Sequence, residues 1–438
     1  MESIKTAILG AGLTGLSAAM HLGRDYHVFE KLHETGGLAR SIEIDGFVFD
    51  HAPHILYPET EYAGDLIKSL LGDNLHVQAR SAWLYHAKHG RYTRFPYQAH
   101  LYGLPAEDII ECLEGVVDVL TRTEQPVPKN YHEWIYARFG KGIAEQLMIP
   151  YSERVWTIDL REMNFDWIDR RVPLPDFSAI LRGALLEQTE GAGFNKVFWY
   201  PLEGGIEALP RALEQRVSNI HCNKTLQAID PVARHLHFED GSTVQYDELV
   251  YTLPLIHLPR YLPEIPPAVQ AAIDGLQFNR IECVNIGINR TDISPYQWCY
   301  FYEPEFIFHR ISFPRNFSER TCPPGTSSVC CEIASSPHRP LRVQGEQAII
   351  DETIRGLKLA GLLRDDDEIL VADVVSVDPA YVIYDLDYNT NVGIIHEWLV
   401  GMGIHPCGRF GDWQYYNMDH SIMSGKRVAD TLLAARDR

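Results

Sequence analysis

The 438-residue chain has few of the features that would place it in a specialised class. Its eight cysteines are scattered, with no C-x-x-C pair and only Cys330 and Cys331 adjacent. Neither a zinc site nor a disulfide framework is therefore expected, and a reducing compartment is. No apolar run is long enough to span a bilayer. The N-terminus also enters "IKTAILG" without the basic, apolar and cleavage segments of a secretory signal, so the expectation is a cytoplasmic protein with no membrane insertion. Basic residues are in deficit: 39 Lys and Arg against 59 Asp and Glu leave a net charge of −20. That balance argues against nucleic acid as a partner, because a phosphate backbone has to be neutralised. A small anionic ligand stays open, since a few arginines inside a cleft act locally whatever the global charge. Internal repeats and low-complexity tracts are also lacking.

What is present is an ordinary globular composition, 45% hydrophobic, with 22 tyrosines. This length and composition suit two or three lobes around a shared cleft. The stretch "TAILGAGLTGLSAAMHLGRDYHVFEK" reads as strand, glycine turn, helix and strand. In it Gly10 permits the tight turn, Gly12 lets backbone N–H groups approach a pyrophosphate, and Gly15 allows close helix–strand packing. Glu30 ends the second strand, where a carboxylate can accept from a ribose diol. A hairpin follows in "SIEIDGFVFD", with Asp-Gly as its turn signal. Residues 105–185 carry helix-like apolar spacing, interrupted by the proline-bearing "RRVPLPDF". Further on come a strand-turn-helix in "FWYPLEGGIEALPRALEQRV", strands to about residue 335, and a final helix in "DHSIMSGKRVAD".

The fold expected is α/β: a Rossmann-like dinucleotide domain from discontinuous segments (1–90, 200–255 and 395–438), a mainly helical insertion (100–190), and a mixed-sheet substrate domain (256–394). The stretch after Glu30, "LHETGGLARS" with Gly36, Gly37 and Arg40, resembles the continuation found in the FAD-binding glutathione-reductase-like superfamily. Members of that superfamily close the flavin site with a C-terminal strand, glycine turn and helix. "CGRFGDWQYYNMDHSIMSGKRVAD" stands in that place, with Gly408, Arg409 and Met418 facing the flavin by resemblance. One FAD held from both ends of the chain is the reading.

The motifs "FDHAPHILYP", "TRFPYQ", "YHEWIYARFGKGIAEQLMIPYSERVW", "RRVPLP", "WCYFYEPEFIFHR" and "GRFGDWQYYNMDH" together resemble the UDP-galactopyranose mutase family, its eukaryotic-type branch most, over nearly the whole chain. The resemblance implies an isomerase that interconverts pyranose and furanose forms of a nucleotide sugar and serves cell-surface glycan biosynthesis. The reaction would use reduced FAD through a flavin N5–sugar adduct with no net redox change, and NAD(P)H would be the external reductant. It further implies that Arg171, on a loop able to act as a lid, and Arg310 hold the departing diphosphate, for which a planar, permanently charged fork of donors is suited. Tyr381 and Tyr415 would offer phenol hydroxyls to the phosphates, with Tyr384 a competitor for the first role. Trp298 and Tyr300 match an aromatic pair, Tyr151 and Trp156 match nucleoside-contacting positions, and Phe95, Gln98 and Asn195 lie near the nucleotide or sugar. His54 matches the histidine loop beside the flavin, with a catalytic role through N5. His51 and His54 lack a third ligand, so no metal site is expected.

The sequence departs from the family where Leu147 and Ser152 occupy positions that flank the base, and where Ala52-Pro53 replaces Gly-Gly. These changes leave the base open between UDP, GDP and dTDP, and the sugar and oligomeric state are open as well. Two rival readings remain at this level. One is a flavin amine oxidase or protoporphyrinogen-oxidase-like enzyme, since "YDELVYTLPL" and "GGIEALPRAL" occur there too. The other is a flavin-binding protein without catalysis.

Overall fold

The computed structural model describes residues 2–124, 126–168, 172, 174, 176–188 and 197–437. The strand Glu2–Leu9 lies between two parallel neighbours, Thr243–Tyr251 and Tyr26–Phe29. Ile404–Pro406 and Ile220–His221 extend this parallel sheet, and the hairpin Leu226–Asp230 with His235–Phe238 finishes one edge. Helices cover a parallel sheet on its faces, so its strands read as apolar runs, and Ala7, Ile8, Leu249 and Val250 are fully buried. The dinucleotide lobe is thus assembled from distant segments, as its interrupted sequence implies.

The helix Leu13–Leu22 follows the first strand and is buried along most of its length. It packs against the last helix, Met418–Arg436, through small residues: a Cβ on Gly425 would lie 2.3 Å from the Thr14 carbonyl oxygen. The two ends of the chain are therefore joined backbone against backbone.

A second, mixed sheet runs in the order Ile369–Val377, Arg280–Ile288, Ser327–Ser335, Arg310–Ser312, Trp298–Tyr300, Ala82–His86, Arg91–Arg94. Its pairs are antiparallel except Trp298–Tyr300 with Ala82–His86. The local hairpin of residues 82–94 thereby joins this sheet through Ala82, Trp83 and Leu84, which pair with Trp298–Tyr300 some two hundred positions later, a long-range ladder that local patterning does not reveal. The helical region contains Ala106–Thr121, Tyr131–Ile143, Ile149–Trp156 and Phe177–Leu185. It buries Tyr131, Trp134, Phe139 and Trp156 in the core that also holds the helix Leu13–Leu22.

Candidate active site

A single cavity of about 1070 Å³ runs from the glycine turn to the second sheet. That is the upper end of the range for small-molecule sites, enough for a dinucleotide cofactor with a substrate beside it. Gly10, Gly12, Glu30, Gly37 and Arg40 line one end. Gly10 adopts φ +96°, and a Cβ at Gly15 would sit 1.9 Å from the Gly10 carbonyl oxygen, so the turn and the helix can meet only with glycine at both positions. Gly12 differs: a Cβ there would meet nothing nearer than the Gly37 Cα at 3.8 Å, and bare backbone faces the cavity. Neither Gly12 nor Asn417 caps its helix with a side chain, so two helix N-termini converge on the space uncapped. The Glu30 carboxylate accepts from the Ala11 N–H (2.9 Å) and the Leu32 N–H (3.0 Å), which fixes it at the cavity wall.

These residues fit a flavin dinucleotide. The Gly10–Gly12 turn and the Leu13 helix would hold the pyrophosphate, Glu30 the ribose, and the Met418 helix the ring end. Gly15 and Gly408 do not reach the cavity. Gly15 packs on Gly10, while Gly408 abuts Thr14 and its N–H is taken by Ser424 Oγ (2.9 Å) and Asp412 Oδ2 (3.2 Å). Both support the site from behind. Arg40 lines the cavity but is engaged by the Gly37 carbonyl (2.9 Å) and by Glu34 (2.6 Å).

At the other end the sheet register does the positioning. Tyr300, Arg310 and Glu332 are direct neighbours on three successive strands. Because side chains opposite one another across a ladder share a face, the three point the same way. The Arg310 guanidinium meets the fully buried Glu332 carboxylate side-on, through Nε and through Nη2 (2.6 Å). Burial opposes the charge on Arg310, and Glu332 more than offsets this, so the group stays cationic. Two of the five guanidinium donors are spent on Glu332, which leaves the remainder for the cavity Arg310 lines.

Aromatic rings wall this end. Tyr300 packs against Phe95 (4.8 Å) and edge-on against Tyr151 (5.3 Å), and its hydroxyl accepts from the Trp298 indole N–H (3.0 Å). Trp156 stands 6.0 Å from both Tyr381 and Tyr415, which lie 5.1 Å apart. The Arg409 guanidinium lies over both tyrosines while donating to the carbonyls of Tyr416 (2.6 Å) and Ala380 (2.8 Å). Tyr381 lines the cavity, whereas Tyr384 is buried behind it against Gln414, so Tyr381 is the member of that pair at the site. Gln98, Met418, Leu147 and Ser152 also line the cavity. Arg171 and Asn195, and with Arg171 the suggested lid, lie outside the described residues.

His54 borders both ends. Its Nδ1 lies 2.7 Å from the Ala52 carbonyl. A carbonyl only accepts, so Nδ1 carries the proton and Nε2 is bare. Burial lowers its pKa to about 4, the Ala52 carbonyl resists, and Arg409 and Arg310 push it further down. The imidazole is neutral at physiological pH.

Sequence reasoning missed three residues. Glu332 is a lone acid in the apolar strand "SSVCCEIAS", and an acid in such a strand signals a buried partner. Arg80 lines the cavity with its guanidinium near Phe95 (5.1 Å) and Trp298 (5.2 Å), and its buried Nε has no partner. The Tyr57 hydroxyl, also cavity-lining, is buried without a partner, and burial raises its pKa to about 12. Nothing local distinguishes Arg80 from a surface arginine.

A dinucleotide turn, two converging helix N-termini and a second sheet over one cavity define a flavin-dependent enzyme. Residues 13–433 match the flavin-containing amine oxidoreductases, and the chain belongs to that family. Within that fold the structure is similar to a reduced UDP-galactopyranose mutase, with TM-score 0.91 and 27% identity, covering 99% of this chain and 95% of the other. A redesigned putrescine oxidase is similar at TM-score 0.68 and 15% identity, covering 99% of each chain, a likeness of fold. A 4,4'-diapophytoene desaturase of Staphylococcus aureus (strain COL) is 41% identical over 56 residues, and the match spans 12% of this chain and only 11% of the desaturase.

Proposed function

We propose that the protein is a nucleotide-sugar pyranose–furanose mutase that works with reduced FAD and no net redox change, on UDP-galactopyranose and UDP-galactofuranose or a related nucleoside-diphosphate hexose. The observation that carries this reading is the Tyr300–Arg310–Glu332 row in the same cavity as the glycine turn. It places a fixed cation and phenol hydroxyls where an amine oxidase needs an apolar, aromatic-walled channel. Reduced flavin would supply the nucleophile toward the anomeric carbon.

The protein's share is positioning and electrostatics. Arg310 offers its unspent donors to the diphosphate, which must be held while it is detached and then returned. Glu332 locks the guanidinium so that little reorganisation is needed when charge develops. Tyr381 and Tyr415 add hydroxyl donors without adding charge, Tyr151 and Trp156 offer faces for the base, and Arg171 and Asn195 are assigned to the substrate by resemblance. The neutral His54, with Nε2 bare, acts as an acceptor beside the flavin and adds no charge. NAD(P)H is the proposed external reductant.

The test is anaerobic reduction with dithionite, followed by UDP-galactofuranose, UDP-galactopyranose and GDP- or dTDP-sugars in turn, with products resolved by chromatography. Interconversion that requires reduced flavin and leaves it reduced is expected. Turnover of an amine or a porphyrinogen by the oxidised protein with peroxide release, and no sugar isomerised, overturns the reading.

A further inference from the structure

Behind the Arg310 strand lies a second pocket, of about 260 Å³, bordered by Arg154, Ile307, His309, Ile333, Arg339 and Arg342. Ile333 follows Glu332 along its strand and so faces away from the cavity, while His309, just before the Arg310 strand, borders both spaces. Its floor is polar and buried. Arg154, from the helix Ile149–Trp156, is 6% exposed, and His309 is 3% exposed. Arg154 donates through its terminal nitrogens to the carbonyls of Glu303, Phe306, Ile307 and Phe308, but its buried Nε has no partner, and neither has the buried His309 Nδ1. Arg339 and Arg342 stand exposed at the mouth, Arg342 donating to the Phe306 carbonyl (3.0 Å).

Three guanidinium groups converging on one small space repel each other, and among the described residues none of the three forms an ion pair. Glu303, Glu153 and Glu352 are the nearby acids, and Glu352, which acts on Arg342, is paired with Arg355. Glu303 Oε1 is occupied by the Ala87 N–H, and Glu153 acts on Arg339 only at a distance. Burial first, and then repulsion from Arg339 and Arg342, lower the Arg154 pKa below its ordinary value, and the Glu303 charge offsets this only in part.

We propose that this pocket is a second oxyanion site, divided from the cavity by His309, which borders both, and that it takes inorganic phosphate or a small phosphate monoester. The planar forks of Arg339 and Arg342 match phosphate oxygens at the mouth, the unpartnered Arg154 Nε is a donor at the floor, and His309 Nδ1 is a second donor in the tautomer that carries its proton there. A free phosphate and a sugar phosphate share this chemistry. The volume admits either, being several times that of a water molecule, about 30 Å³.

The experiment titrates inorganic phosphate, then galactose 1-phosphate, into the holoprotein at ionic strength held constant with chloride. Three proteins are compared: wild type, Arg339→Gln/Arg342→Gln, and Arg310→Gln/Glu332→Gln, in which both members of the cavity pair are neutralised together. At tenfold excess over Kd, phosphate is expected to raise the Tm of the wild type and the cavity variant by about 2 °C and to leave the mouth variant unmoved. Selenate soaked into crystals should give anomalous density between Arg154, Arg339 and Arg342. A rise equal to that given by chloride, a response lost in the cavity variant but kept in the mouth variant, or selenate found only beside Arg310, overturns the proposal.

Discussion

The two ends of the cavity are built by different means. The cofactor end is made of backbone: Gly10, Gly12 and Gly37 bring main chain to the wall, and two helix N-termini supply its polarity. The other end, which we assign to the substrate, is made of side chains set in register by strands far apart in sequence, with Glu332 behind Arg310 and Tyr300 beside it. The backbone site tolerates no added atom at its closest approaches, Gly10 and Gly15, whereas a register site tolerates added atoms but no lost partner. The difference teaches where each end is vulnerable, and four substitutions can break or sharpen it.

The largest effect is expected at the backbone end. In Gly15→Val the new Cβ would lie 1.9 Å from the Gly10 carbonyl, against backbone that cannot move without separating the helix from the sheet. The variant should be purified without flavin or not recovered in soluble form, as read by the absorbance ratio of flavin to protein. A yellow protein with wild-type flavin content would show that the turn has slack and that the contrast between the two ends is false.

At the register end, Glu332→Gln keeps shape but removes the counter-charge of Arg310. Breaking one partner of such a pair costs about 3–5 kcal/mol when both are fully buried, and less here because Arg310 is about a quarter exposed. Flavin content should stay normal while kcat falls on the order of 100-fold, since Arg310 is left free to swing. Arg80→Met should be milder. It removes a cation whose Nε has no protein partner, so stability should hold while KM for the nucleotide sugar rises about tenfold, the worth of one charge-assisted hydrogen bond. A fall in kcat at unchanged KM would instead put Arg80 to work in the transition state.

How much of this was legible in the sequence follows the same division. The glycine turn was legible because local geometry dictates it: strand, Gly10, Gly12, Gly15, helix and Glu30 need only their own neighbours to be recognised. The last helix was legible for the same reason. The register row was legible only in part. Arg310, Tyr300 and Trp298 came from resemblance, yet Glu332, Arg80 and Tyr57 did not, because what singles them out is a partner or an unmet polar group that only the fold brings to the cavity. Pairing of residues 82–94 into the second sheet was hidden likewise, since a parallel pair with Trp298–Tyr300 leaves no trace in either strand alone. Choosing Tyr381 over Tyr384 needed the fold, because the two stand three residues apart and only burial direction separates them.

The smallest expected effect concerns His54, where the two ends meet. Its folded pKa, about 4, lies below the roughly 6.5 of an unfolded histidine, so the unfolded chain takes up the proton first as pH falls. The contribution to stability is therefore whole above pH 6.5 and is lost on acidification from about 6.5 to 4, amounting to at most about 3 kcal/mol. His86, also lowered to about 4 by burial, adds a loss of the same sign over the same window. Asp50, a buried carboxyl raised to about 6, works the other way, losing stability as pH rises from about 4 to 6. His54→Asn leaves His86 alone and keeps the backbone N–H of residue 54 that bonds Asp50. The variant should lose only the His54 share, giving a shallower fall of Tm between pH 6.5 and 4 with equal flavin content above pH 7. If the slope is unchanged, the imidazole is not held neutral by its burial, and the two arginines that face it, Arg409 from the cofactor end and Arg310 from the substrate end, are not felt there.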